Sequence, residues 1–338
     1  MSDAALATIV AVAMLVSLIV YALLGGADYG AGVWYLLATG RRKEAQRELI
    51  DRAIGPVWEA NHVWLILVVV LLFSAFPAAY AAVTSTMHLP LSLMLIGIVL
   101  RGSAFTFRHY DASAPRRRRW GRAFAAPSVA TPVLLGIVIG ALAAGEAAPR
   151  PGEVVDLLAP RWLGTFPLTV GLFALAIFAY LAAVYLILET DDPELRDDFR
   201  RRALASAVVV GALAWLVYLL ARTQAPLVFS QLDASPWGRP VRIATGACAI
   251  LALLALTTRR YHVARGAAMV QTALILWGCG LALYPYLVPP ELTIYNAAAS
   301  RRTLILLLSA LAAGAFVLIP SLVYLFRIFK AHTFTTTD

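Results

Sequence analysis

Charge is what this chain has least of. Only 14% of its 338 residues are Asp, Glu, Lys or Arg, against 61% hydrophobic, and the mean hydropathy is strongly positive. Such a chain has too little polar surface for a water-soluble globule and reads as an integral membrane protein. Cysteine is scarce too: Cys248 and Cys279 stand alone in separate apolar runs, which argues against a disulfide framework or a thiolate metal site. Of the 5 histidines, only His62 falls inside an apolar run, while His88, His109, His262 and His332 lie at run ends, in loops or in the tail. Haem in a helix bundle is commonly gripped by histidines facing each other across spans. With no second deep histidine, no haem ligand and no metal site are expected on this chain, a His/Met pair using Met87 or Met94 being the weaker option. Long polar connections are missing as well. The stretches 146–163 and 222–239 are short and contain proline, which leaves no room for an extramembrane catalytic module. There is no basic leader, and Asp3 directly precedes a long apolar stretch, so the first helix is expected to be retained.

What the chain has is apolar runs of membrane-spanning length. Nine are expected, at 5–36, 56–78, 85–107, 123–145, 164–188, 203–221, 240–258, 264–286 and 303–326, forming one polytopic domain over 1–338. The first is too long for one upright helix, so it is either tilted or loosened around Gly25 to Gly30, where Gly26 and Gly30 also make a close-packing pair. The net charge of +9 does not point to nucleic acid, because the basic residues sit in short clusters between apolar runs. Arg41 to Arg52, Arg108 to Arg122, Arg196 to Arg202, Arg259 to Arg265, and Arg327 with Lys330 all fall on one side of the expected bundle. The positive-inside rule makes that side the cytoplasm and puts the N-terminus outside.

Against this apolar background, Trp58-Glu59-Ala60-Asn61-His62-Val63-Trp64 stands out at the start of the second run. A carboxylate, an amide and an imidazole are costly in lipid and must face protein or water. Asp28 in the first run, Glu59 in the second and Arg101 in the third are expected about 10 to 15 Å deep from the cytoplasmic side, from the helix rise. Glu59 and His62, three residues apart, share a helix face on which a proton can pass. Two acids beside one base leave a carboxylate free to change protonation; the plainer reading is that these charges pair and hold helices together. Trp58 and Trp64 read as packing or interface anchors, and Asn61 as a partner for backbone or a neighbouring side chain.

These residues resemble a family, subunit II of the cytochrome bd-type quinol oxidases, including the cyanide-insensitive branch. The resemblance is carried by Tyr21 to Gly32, a glycine-flanked acid; by Trp58 to Trp64, similar to a W-[DE]-x-N-x-V-W signature; by Phe76-Pro77-Ala78-Ala79-Tyr80; and by Arg101 to Arg108. It implies an all-α membrane protein of nine helices, as two four-helix bundles plus one peripheral helix, in the cell inner membrane. It implies a partner, a similarly folded subunit I carrying haems b and d and the quinol site, with small single-span accessory subunits as further partners and no haem on this chain. It also implies the complex's activity, oxidation of quinol with reduction of oxygen to water. By residue match, Asp28 and Glu59 carry protons from the cytoplasm, Arg101 tunes them, and Trp64 lies near an oxygen route. Two departures are visible. Thr106 stands where many members have an acid, in F-[DE]-[FY]-R, and a hydroxyl relays but stores no charge; Ala27 stands where Gly-Phe-Asp is commoner. Intramembrane acids also occur in proton-coupled secondary transporters, but these commonly show paired broken helices, and only the first run here looks interrupted. A third reading is a structural scaffold with Asp28, Glu59 and Arg101 in a neutral knot.

Overall fold

The computed structural model describes residues 2–54, 58–110, 114–148 and 161–331. In chain order the elements are α1 (Asp3–Leu36), α2 (Lys43–Ile54), α3 (Trp58–Ala75), α4 (Pro77–Thr86), α5 (His88–Tyr110) and α6 (Ala114–Ala143). After a 3-10 turn (Arg161–Leu163) follow α7 (Thr165–Leu186), α8 (Pro193–Gln224), α9 (Pro226–Ala234), α10 (Gly238–Thr257) and α11 (Tyr261–Leu283). A two-stranded antiparallel hairpin, β1 (Tyr286–Val288) and β2 (Leu292–Thr293), leads to α12 (Arg301–Ala331).

Among the described residues, 8 helices are long and apolar enough to cross a membrane, and a bent pair makes up to 9. The bend corrects the expected uninterrupted run at 56–78. Pro77 has no N–H to continue the ladder, so α3 ends at Ala75 and the chain turns through Phe76. Asn61–Ala75 and Pro77–Thr86 then lie at 117° to each other. The first run behaves differently from one of its two expectations: α1 is helical without a break through all its glycines, about 51 Å long at the standard rise. The expected run at 203–221 also grows backwards, because Asp192 caps α8 by accepting from the N–H groups of Glu194 and Leu195, at 2.8 and 3.3 Å.

The centre of the bundle is α7. Every residue from Ala176 to Val184 is buried, the mark of a helix enclosed on all sides. It packs against α1, α6, α8 and α11. The α1 contact depends on the Gly26/Gly30 pair. A Cβ on Gly30 would stand 1.9 Å from the Phe178 carbonyl oxygen, and one on Gly26 would stand 2.5 Å from the Phe178 ring. Backbone therefore meets backbone at Gly30, and Trp34 one turn on donates its indole N–H to the Ala179 carbonyl at 2.7 Å.

Because that contact is backbone and cannot yield, Gly30→Ala is expected to lower the melting temperature by several degrees or prevent folding, whereas Gly211→Ala on α8, with open space around it, leaves it unchanged. Thermal unfolding of the two purified variants checks this; equal melting temperatures would contradict the packing.

Candidate functional site

Four of the sequence-expected residues converge at one place near the α2 end of the bundle. Asp28 (α1), Asn61 (α3) and Arg101 (α5) are 8%, 4% and 1% exposed. The Asn61 amide donates to Asp28 Oδ2 at 2.6 Å, so the amide serves the carboxylate directly. His62, the next residue, brings Nε2 to 3.4 Å from the Tyr29 hydroxyl, and the Tyr21 hydroxyl stands 3.5 Å from that of Tyr29. Asp28 thus has an amide partner from α3, and beside it the phenols of Tyr21 and Tyr29 on α1 lead to the His62 imidazole on α3.

Arg101 has the most constrained setting. Its guanidinium carbon lies 4.5 Å from the Tyr29 ring centre and 4.9 Å from that of Phe124 on α6, a contact on two aromatic rings. Its Nε donates to Ser128 Oγ at 3.2 Å, and Ser128 in turn donates to the Phe124 carbonyl at 2.8 Å. A Cβ on Gly32 would collide with Ser128 at 2.2 Å, so α1 and α6 can close around the arginine only with glycine there.

The other expected residues are distributed differently. Trp58 and Glu59 fall on the first turn of α3, with their side chains outside the described residues. Trp64 is half-buried against the core around α7. Thr106 is not brought to the constellation: it is exposed on α5 and its hydroxyl donates to its own helix, at the Gly102 carbonyl, 3.1 Å away. Tyr21, Tyr29 and Ser128 were missed by sequence reasoning. The tyrosines were signalled by their spacing of two helical turns on either side of Gly25-Gly26, but Ser128 has no signal short of the α5–α6 register.

Nearer the α2 end, Asp51 of α2 is held by both guanidinium nitrogens of Arg108 on α5, Nη1 reaching Oδ1 at 2.6 Å. Arg108 and Arg47 also lie over the Tyr35 ring of α1, at 4.5 and 4.8 Å. Burial pushes the Asp51 carboxyl up to about 6, the pull of Arg108 offsetting only part of it. Alongside, Arg42 donates to Asp198 at 2.9 and 2.7 Å, with Gln46 adding 2.9 Å, which locks the α1–α2 connection to α8.

The enclosed acid, amide and arginine in a bundle of membrane-length helices define a class, a multi-pass membrane protein with a buried charged site. The particular family follows from comparison: over residues 6–329 the chain matches the family model described as cytochrome bd terminal oxidase subunit II, and it belongs to that family. It is similar to the cytochrome bd-I ubiquinol oxidase subunit 2 of Escherichia coli K12, at 27% identity over 86% of this chain and 85% of that one. It is also similar to the cytochrome bd ubiquinol oxidase subunit 2 of Bacillus subtilis, at 32% over 36% of each. The fold matches that of the bd oxidase from Geobacillus thermodenitrificans, with a TM-score of 0.80 and 24% identity over 96% of this chain and 98% of that chain. The chain is therefore subunit II of a bd-type quinol oxidase, a quinol:oxygen oxidoreductase in which subunit II works with a subunit I, and the transporter reading is not favoured.

The raised Asp51 carboxyl makes stability depend on pH. Between its ordinary value and about 6 the folded state binds a proton that the unfolded state does not, so its contribution to stability falls as pH rises through that window. The melting temperature of the wild type relative to Asp51→Asn is expected to shift in the wild type's favour as pH drops from about 7 to about 5. A difference independent of pH would contradict this.

Proposed function

We propose that this subunit supplies the oxidase with a proton route from the cytoplasm, built on Asp28, Glu59 and Arg101. The observation that carries it is the placement of Asp28: buried, given a 2.6 Å amide donor by Asn61, and on the same helix as Tyr29, over whose ring Arg101 stands. A carboxylate enclosed at this depth is expensive unless it is paired or carries protons. Asp28 and Glu59 are the carriers. Arg101 holds their charge in balance, and His62, with Tyr29 against it, is a neighbouring group able to hand protons on. The exposed hydroxyl of Thr106 belongs to the mouth of the route at most, because its proton is committed to the Gly102 carbonyl. Trp58, Trp64 and the Asn61 segment border an apolar path for oxygen.

The arrangement in the membrane follows the charge pattern. The bundle takes nine crossings, as two four-helix bundles and a peripheral helix, with α3 and α4 sharing one crossing, the N-terminus outside and the C-terminus in the cytoplasm of a cell whose inner membrane holds it. The α2 end, with Arg41 to Arg52 and Arg108, is then cytoplasmic. Haems b and d and the quinol site belong to subunit I, this chain holds no cofactor, and small single-span subunits complete the assembly.

Asp28→Asn and Glu59→Gln, in complexes that retain the wild-type haem spectrum, are expected to lower oxygen uptake by about tenfold or more, the loss typical of a removed proton-transfer group. Wild-type uptake in both variants would leave the constellation a structural knot.

A further inference from the structure

Two enclosed polar atoms at the α5–α6 interface lack hydrogen-bond partners among the described residues: Arg101 Nη2 and Thr131 Oγ1. Both residues are deeply buried, at 1% and 2% exposure. They belong to one interface. Arg101 reaches Ser128 at 3.2 Å, and one helical turn farther from the α2 end Thr131 faces Gly97, its Oγ1 lying 2.4 Å from where a Cβ on Gly97 would stand. Without a Cβ, Gly97 lets the Thr131 hydroxyl lie close against the α5 backbone, on the same interface as the arginine. A third group is short of a partner by chemistry: Pro132 lies inside α6 and has no N–H to give the Ser128 carbonyl four residues back.

A charged N–H, a hydroxyl and a carbonyl on consecutive turns call for a molecule that both donates and accepts. A small anion fails this requirement, because it would meet the Ser128 carbonyl oxygen and the neighbouring Asp28. We infer that ordered water is bound between α5 and α6 by Arg101 Nη2, Thr131 Oγ1 and the Ser128 carbonyl, and that it extends the proton route past Arg101. Ser128 is the positioning residue: by taking Nε it aims the remaining guanidinium edge at the water. Arg101 keeps its own proton throughout, and the relay proceeds by each water accepting a proton on one side and releasing another on the far side. The relay role rests on the proton route proposed above.

The test compares Thr131→Val, Thr131→Ser, Ser128→Ala and Asp28→Asn in the purified whole complex. It reads oxygen uptake against pH, the solvent deuterium isotope effect and the melting temperature. Valine has threonine's shape without its hydroxyl. If water is bound and relays, Thr131→Val lowers turnover by about threefold or more with a larger isotope effect, and Thr131→Ser restores both. Ser128→Ala then displaces the pH profile. If the hydroxyl is dry, Thr131→Val removes an unsatisfied group, so the melting temperature rises while turnover and pH profile stay as in the wild type; that result overturns the inference. Asp28→Asn separates the two levels. A slow Asp28→Asn with a normal Thr131→Val removes only the water relay, whereas a normal Asp28→Asn removes the proton-route reading and the relay role with it. Should Thr131→Val not assemble, a density map of the wild-type complex fine enough to resolve water decides: water against Arg101 Nη2 supports the site, and its absence there overturns it.

Discussion

A fully enclosed guanidinium is the constraint around which this subunit is built. A charge at that depth is tolerated only where protein supplies what water would. Three helices answer that demand together. α1 offers the face of Tyr29; α6 offers Phe124 and Ser128; α5 carries the arginine itself. Removing the Tyr29 ring, the Phe124 ring or the Ser128 hydroxyl would leave the buried charge short of a partner, which is why a polar cluster of few residues governs the packing of the apolar helices around it.

The close approaches follow from the same demand. Gly32 lets α6 bring Ser128 within reach of α1, and Gly30 lets α1 lie backbone to backbone on α7. With α7 buried throughout its middle, α1 has a packed wall behind it, on which the Tyr29 ring stacks against Phe178 with 6.4 Å between ring centres. At the α2 end the polar contacts change character. Arg42 with Asp198, and Arg108 with Asp51, are partly exposed pairs that tie the α1–α2 connection to α8 and α2 to α5, and they close the bundle where its charge can meet water.

Much of this was legible in the sequence because hydrocarbon makes polar residues conspicuous. Asp28, Asn61, His62 and Arg101 stood out as polar groups in apolar runs, and the structure brings all four to one place. The Gly26/Gly30 pair was legible for the same reason, as a small-residue face in a long span. What escaped depended on three-dimensional register. Ser128 is one hydroxyl among many, distinguished only by the α5–α6 alignment that sets it against Arg101. The Asp51–Arg108 pair joins a surface helix to the end of a span, and composition places neither partner near the other. The break at Phe76 was written in Pro77, but the apolar run continues through it, so hydropathy alone does not show the turn. Thr106 looked like a pathway residue from its neighbours in sequence, and the helix phase turns it outward.

The most direct measurement of the account is the side of the membrane from which protons are consumed. The whole oxidase would be reconstituted in one orientation in sealed vesicles, given quinol and a pulse of oxygen, and followed with a pH dye on each side. Consumption is expected on the side that bears α2, and its loss in the Asp28→Asn complex. Proton consumption from the opposite side, or unchanged consumption in that variant, would contradict it.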